Sequence, residues 1–407
     1  MRILVITYAF VPLRFPATFR LLKWFKGLGE LGHSVTVLSV HPDSFIGPKD
    51  YSLNQLVSPS TDTVKVRSPE HSFVFRCLAL RKSWFYRLFE PRKMEWYIPC
   101  KRALGALDVL DYDVILSCSQ PPVGHVLGLH IKKRSNLPWV AYFSDPWVNN
   151  PFQAFSSERV KRHNIGLKRE VVRVSDRLVF PSEEVRDREL EGHSAEENGK
   201  CDVLPHCYVP SWYELDSEGF SAEGGPAKVL LAGNFYGPRT PVPFLNILND
   251  IHKTSSLTGK LIVEVYGSIS DEHRQNPLWS DLKDVVRFKG GIDYLASLAK
   301  MKQADYLLLI DAQTQDNRSI FFPSKLADYV GSGTPIVGLT PGKGVSARVL
   351  RETGNVACPM NDEAAVRTTI LKMLSGDLPR KGEVGAETRY DYRVVVKQLE
   401  RILKDSL

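Results

Sequence analysis

The sequence predicts an α/β protein of two doubly wound domains facing across a cleft. Three observations carry this reading. Apolar runs of strand length alternate with helical patterns to about residue 205, a Ser-, Glu- and Gly-rich stretch "SEGFSAEGGPAK" (217–228) interrupts them, and the same rhythm then restarts. A chain of 407 residues also exceeds what one core usually serves.

The elements follow in order. "RILVITY" is a buried strand. "ATFRLLKWFKGLGELG" is helical, with Phe19, Leu22, Phe25, Leu28 and Leu31 at three-residue steps and Gly32 as the stop, and "HSVTVLSV" is the next strand. A strand, helix and strand in this order imply a parallel sheet with a right-handed crossover. The turn "AFVPLRFPA" lacks G-x-G-x-x-G, so no dinucleotide fingerprint is present. Further strands are "DVILSCS" (113–119), "PWVAYFS" (138–144) and "DRLVFPS" (176–182), separated by the helical "GHVLGLHIKKR" and "HNIGLKREVVRVS". After the linker come "KVLLAG" (228–233), "KLIVEVYG" (260–267), "VVRFKG" (285–290), "YLLLI" (306–310) and "PIVGL" (335–339), with the helix "IDYLASLAKMKQA" (292–304) among them. The expected domains are 1–210 and 226–386, followed by an amphipathic last helix in 387–407.

Composition narrows the function classes. No apolar run reaches the roughly 18 residues needed to cross a bilayer, and the N-terminal "RILVITYAFVPL" carries no cleavage-site pattern, so nothing points to export. The cysteines (Cys77, Cys100, Cys118, Cys201, Cys207, Cys358) are scattered, which suits reduced thiols in a cytosolic enzyme. "CDVLPHC" is not a zinc spacing, so no metal is expected. The net charge of +7 favours anionic partners. With no nucleic-acid motif, those are anionic lipid or phosphorylated small molecules, set against a merely solvated basic surface.

Ligands of doubly wound sheets bind outside the carboxyl ends of the strands, and three ligand-friendly loops fall there in the second half. "GNFYGPRT" supplies Gly233, Asn234 and Arg239, and "VYGS" supplies Gly267: glycine admits close backbone approach and arginine offers a fork for phosphate. In "FFPSKLADYVGSG", Pro323 and Ser324 precede a helix whose first amides and Lys325 make a ready anion site, and Asp328 is placed to accept from ribose hydroxyls. Alternatively, Ser324 is only an N-cap and Asp328 only complements the helix dipole.

Across nearly the whole length the sequence resembles the GT-B glycosyltransferases, most closely the family 4 retaining enzymes that build bacterial surface polysaccharides. The strings that carry the resemblance are "LGELGHSVTVLSV", "DVILSCSQPPVGHVLGLHIKK", "LPWVAYFSDPW", "FPSEEVRD", "VLPHC", "LLAGNFYG", "FPSKLADYVGSGTPIVGL" and "RVLRETGNVACP". It implies the GT-B fold, two Rossmann-like domains facing across a cleft, with a last helix crossing back to the first. It also implies a sugar-nucleotide donor, UDP- or GDP-linked, in the second domain and a metal-independent reaction. Ser324 and Lys325 fall where family amides meet the diphosphate, and Asp328 falls on the ribose-binding glutamate. The first glutamate of the family motif falls on Ile320, a departure at the sugar-contacting end that Asp311 or Asp316 could offset. It reads either as a less polar donor sugar or as a warning against catalysis.

In the first half, Arg14 and Arg20 lie where family members approach donor phosphates or acceptor, although Arg20 reads equally as a surface charge. Asp145 ends a strand where a base or charge stabiliser reaches the cleft, or is a loop carboxylate. Trp147 either stacks on a sugar or plugs its loop, and His125 is nearby on the acceptor side, in a helical pattern where a histidine is more often packed than catalytic. Residues 75–102 interleave Arg and Lys with Trp84, Phe85, Tyr86, Phe89, Trp96 and Tyr97, which suits a peripheral contact with an anionic membrane, an acceptor site or simple packing. The expectation is a cytoplasmic, peripherally membrane-bound transferase acting on a glycan or lipid-linked glycan, with no nucleic-acid partner. The alternatives are a sugar-nucleotide 2-epimerase of the same fold and a non-catalytic nucleotide-binding partner of another transferase.

Overall fold

A computed structural model of the protein describes residues 1–69, 93–152, 154–214, 225–235, 239–312, 317–379, 384 and 387–407. Contacts divide it into two compact units, Met1–His206 with Tyr392–Leu407, and Cys207–Asp391. The division falls at 206/207, ahead of the expected linker, because the chain from Cys207 on already packs within the second unit: the Tyr208 amide donates to the Tyr390 carbonyl at 2.9 Å.

The first unit is a parallel sheet of β1 (Arg2–Ile6), β2 (Ser34–Val40), β3 (Thr61–Val66), β4 (Val114–Cys118), β5 (Trp139–Tyr142), β6 (Arg177–Phe180) and β7 (Cys201–Val203), in the order β3-β2-β1-β4-β5-β6-β7. Registers such as Ile3↔Val35 and Ile3↔Val114 put β1 between two neighbours. Ile3 to Ile6, Val114 to Leu116 and Trp139 to Tyr142 are all fully buried, as expected of strands covered by helices on both faces. Two elements show where the periodicity reading falls short. β3 is the polar edge "TDTVKV", and the helix Glu158–Val174 starts before the expected "HNIG" because Ser157 caps it, accepting from the Val160 amide.

The second unit repeats the plan with β8 (Ala227–Ala232), β9 (Leu261–Tyr266), β10 (Val286–Gly290), β11 (Tyr306–Ile310), β13 (Ile336–Thr340) and β15 (Val356–Pro359), in the order β10-β9-β8-β11-β13-β15. A small parallel pair, β12 (Arg318–Ser319) and β14 (Lys343–Gly344), lies apart from it. In both sheets the strand order reverses beside the first strand, between β1 and β4 and between β8 and β11. Those are the points where loops diverge and leave room for ligand.

The last helix, Tyr392–Lys404, belongs to the first unit. It lays Val395, Val396, Leu399, Ile402 and Leu403 inward, Tyr392 donates to Glu30 at 2.9 Å, and His33 meets Glu400 at 2.9 Å. Gly27, in the helix Pro16–Glu30, makes this approach possible: a Cβ there would lie 2.9 Å from Val396. Among the described residues no helix is long and apolar enough to cross a membrane. The described cysteines are free thiols, and no described group of His, Cys, Asp or Glu is arranged to hold a metal.

Candidate functional site

The second unit's switch point is built on two glycines. β8 and β9 end at Gly233 and Gly267, both with positive φ (+154° and +130°), and a side chain at Gly267 would collide with the Gly233 carbonyl. This close passage continues as a ladder: the Gly233 amide donates to Tyr266 at 2.9 Å and Phe235 to Ser268 at 2.9 Å. Asn234 joins it through its side chain, Oδ1 accepting from the Ser268 amide and hydroxyl at 3.1 and 2.9 Å. Asn234 therefore shapes the loop.

The helix Ser324–Ser332 starts beside these turns. Its N-cap is Pro323, no side chain caps it, and Ser324 is its first helical residue, so Ser324 is not the cap. From that first turn Lys325 reaches back, its Nζ donating to the Ala232 carbonyl at 2.8 Å where β8 ends. A side chain at Gly233 would strike that Nζ. Lys325 is half-buried, and its pKa is lowered to about 7 by desolvation first and the Arg239 charge second, with Asp311 opposing.

Arg239 faces Asp311 at 3.7 Å, while its Nε is buried with no hydrogen-bond partner among the described residues. Asp311 follows β11 and is held by the Ala312 amide at 2.8 Å and the Ser319 hydroxyl at 2.5 Å. Two cations therefore share one carboxylate that is already committed to the backbone and to Ser319. Those contacts also take Asp311 out of the role of a sugar-contacting substitute for the buried Ile320; Asp316 lies outside the described residues.

Asp328 faces inward. It is 5% exposed, and its Oδ1 accepts from the Tyr294 hydroxyl at 3.0 Å while its carbonyl accepts from Tyr213 at 2.6 Å. Burial first, then the Asp328 charge, holds both tyrosines protonated. Asp328 is thus an anchor of its helix, and sequence reasoning missed Tyr213 and Tyr294 because they are distant in the chain.

In the first unit, Asp145 lies half-buried past the end of β5, its Oδ2 accepting from Ser144 at 2.9 Å. Ser144 in turn bonds the loop after β4: its amide donates to Ser119 at 3.3 Å and its hydroxyl accepts from the Gln120 amide at 3.0 Å. Arg14 sits in the loop after β1, tied by its amide to Pro48 at 3.0 Å. Arg20 is not a surface charge: it is 4% exposed.

Two residues expected on the acceptor side are packed instead. Trp147 is fully buried, its indole donating to Asn164 at 3.0 Å and its amide to Glu189 at 2.9 Å, so it plugs the loop and offers no face to an acceptor. His125 is fully buried too, bonded through Nδ1 to Ser117 at 2.8 Å and packed 4.3 Å from the Phe143 ring. Burial lowers its pKa to about 3, so it is a neutral core residue. Below this loop Lys168 meets Glu189 at 3.8 Å, and burial, against the pull of Lys168 and the Trp147 amide, raises Glu189 to about 7. Only the four-residue spacing of Asn164 and Lys168, one face of a polar helix, hinted at this pair. Of residues 75–102 only 93–102 are described; there Trp96 is buried with its indole on Val66, so it is no membrane anchor.

No protein-family model and no curated protein matches the sequence. Solved structures do match. A glycosyltransferase from Rickettsia africae aligns with a TM-score of 0.67 at 13% identity, covering 100% of this chain and 98% of that one. An E. coli trehalose-6-phosphate enzyme bound with UDP-2-fluoro glucose aligns at 0.65 and 12%, covering 99% of each. The chain has the GT-B fold. A putative UDP-N-acetylglucosamine 2-epimerase from Listeria monocytogenes is also similar, at 0.60 and 9% over 99% and 96%. At these identities the GT-B likeness concerns architecture, and the chemistry must come from the residues.

Proposed function

We propose that the chain is a glycosyltransferase that moves a sugar from a nucleotide-diphosphate donor, UDP- or GDP-linked, to a glycan. The observation that carries this reading is the pairing of Lys325 and Arg239 beside an uncapped helix start at the second unit's switch point. A departing diphosphate gathers negative charge on its oxygens. Fixed cations and amide dipoles aimed at that charge perform the main electrostatic task of the reaction. They do so without a metal ion. Asp328 contributes by holding the helix, and Gly233 and Gly267 by letting the donor approach the backbone. Likeness to a structure holding a UDP-sugar analogue supports a uridine nucleotide.

In this reading Asp145 is the catalytic carboxylate, Arg14 is an acceptor-side residue, retention of configuration follows the family resemblance, and the acceptor is lipid-linked. The basic and aromatic residues of 75–102, the buried Trp96 apart, are proposed to meet an anionic inner membrane face. The second reading, epimerisation, is favoured by the likeness to the Listeria protein. It requires groups that exchange a proton at the sugar, and Asp311 is already held by Ser319 and Arg239. A panel of sugar nucleotides, assayed with and without polyprenyl-linked acceptor, decides. Acceptor-dependent nucleotide release is expected; isomerised free sugar nucleotide supports the second reading, and binding without turnover of any donor overturns both.

A further inference from the structure

We propose that Glu189 is a positioning residue for Asp145: from beneath the loop after β5 it fixes where the Asp145 carboxylate stands at the end of the first sheet. The kinetic consequence rests on the reading of Asp145 as the catalytic carboxylate; the structural claim does not.

Residues 144–150 form neither helix nor strand, so partners elsewhere in the chain must set their path. Two helices meet beneath them. Trp147 donates its amide to Glu189 Oε2 at 2.9 Å, at the end of the helix Glu183–Glu189, and its indole to Asn164 Oδ1 at 3.0 Å, on the helix Glu158–Val174. Asn149 and Arg188 exchange bonds alongside: Asn149 Nδ2 donates to the Arg188 carbonyl and Arg188 Nε to the Asn149 carbonyl, both at 3.2 Å. Lys168 completes the floor. Its Nζ donates to the Glu189 carbonyl at 2.6 Å and stands 3.8 Å from Oε1, an oxygen with no hydrogen-bond partner among the described residues. Trp147, Asn164, Lys168 and Glu189 are each at most 4% exposed, so this clamp is closed to water.

A buried ion pair often adds no net stability over apolar side chains of similar volume, so stability alone does not account for this one. What an apolar pair could not supply is an acceptor for the Trp147 amide. The run Asp145-Pro146-Trp147 passes that fixed point on to Asp145. The proline ring locks its own φ, and it confines the residue before it to extended backbone. Few torsions are then left between the clamped amide and the carboxylate. On the other side Ser144 ties Asp145 to the loop after β4. Asp145 is therefore held between two anchors, and Glu189 is the charged and deeper one.

The test separates the acceptor from the ion pair. Glu189→Leu with Lys168→Met leaves no buried charge alone and should melt near the native chain, but it offers the Trp147 amide nothing. Glu189→Gln with Lys168→Met puts an acceptor back. In hydrogen–deuterium exchange, which needs no turnover, peptides covering 144–150 are expected to exchange about tenfold faster in the first double variant, with β4 peptides unchanged, and to return towards native in the second. Native protection in the first, no recovery in the second, or equal loosening throughout the first unit overturns the proposal. With the donor that the sugar-nucleotide panel selects, the first double variant should lower kcat about ten- to a hundredfold at unchanged donor KM, and the second should restore most of it. Added to Asp145→Asn, the first double variant should cost nothing further, because its effect passes through the carboxylate already removed; an undiminished loss there overturns the proposal. Native kcat in Asp145→Asn overturns instead the reading of Asp145 as catalytic, and the exchange result then judges the clamp by itself.

Discussion

If the second unit holds a nucleoside diphosphate at Lys325, binding must take up a proton above neutral pH. The lysine is held at about 7 because its surroundings remove water and because Arg239 repels its charge. At pH 8 the ligand-free amine is then about one-tenth protonated. A diphosphate beside Nζ supplies the missing counter-charge and drives the pKa back toward 10.5, its ordinary value. Once it passes about 9, the bound amine at pH 8 is roughly nine-tenths protonated. The difference is an uptake of about 0.8 proton per nucleotide at pH 8, and about half a proton at pH 7. Because the complex holds more protons than the free protein, affinity must fall as pH rises, by roughly six- to sevenfold per unit around pH 8. The terminal phosphate, with a pKa near 6, is fully ionised there and adds nothing. Calorimetric titration of UDP at pH 8, in buffers of differing ionisation enthalpy, measures the uptake directly. Lys325→Ala should abolish it and weaken binding by about 1 to 3 kcal/mol, the range for a charge-assisted contact. UDP binding with no proton uptake between pH 7.5 and 9 would refute the reasoning.

Three further outcomes are expected. Gly267→Ala should cost about 3 kcal/mol or more, because its Cβ enters the Gly233 carbonyl and its φ is +130°, and nucleotide affinity should fall with it; a full-affinity, stable variant would contradict the crossing-loop geometry. Tyr294→Phe should destabilise the second unit by about 1 to 3 kcal/mol through loss of the donor to Asp328, read from denaturant unfolding. Glu189→Ala strands the buried Lys168 and should cost about 3 to 5 kcal/mol at pH 8. Glu189 also carries a sign. Its folded pKa of about 7 lies above the ordinary 4.5, so the folded chain holds the extra proton and this residue's contribution to stability is present at pH 4.5 and lost as pH rises through 7. Glu189→Gln should flatten that part of the pH profile of melting temperature.

The alternation of strands and helices and the loops at strand ends were legible because period and turn residues are local properties of a chain. Runs such as Ile3 to Ile6 or Leu307 to Ile310 are buried on both sides, so no polar face disguises them. β3 was not legible: as a polar edge strand it has one neighbour and little to bury. Gly233, Gly267 and Lys325 could be named from the sequence, but not what joins them. That Lys325 reaches the end of β8, 93 positions earlier, and shares Asp311 with Arg239 follows from the packing of two loops. For Trp147, His125 and Asp328 the sequence left a ligand-facing and a packed reading open, and distant partners close each of them in: Glu189 and Asn164, Phe143, or Tyr294. Arg20 shows the converse. Its sequence allowed a solvated helix charge, and only tertiary structure encloses it between Tyr142 and Trp24 without a counter-ion. The sequence by itself determined the sheets and where their ligand-bearing ends fall, because burial of apolar strands depends on local pattern. The tertiary structure decided which charges are paired, because desolvation and Coulomb terms depend on what long-range folding places within a few ångströms.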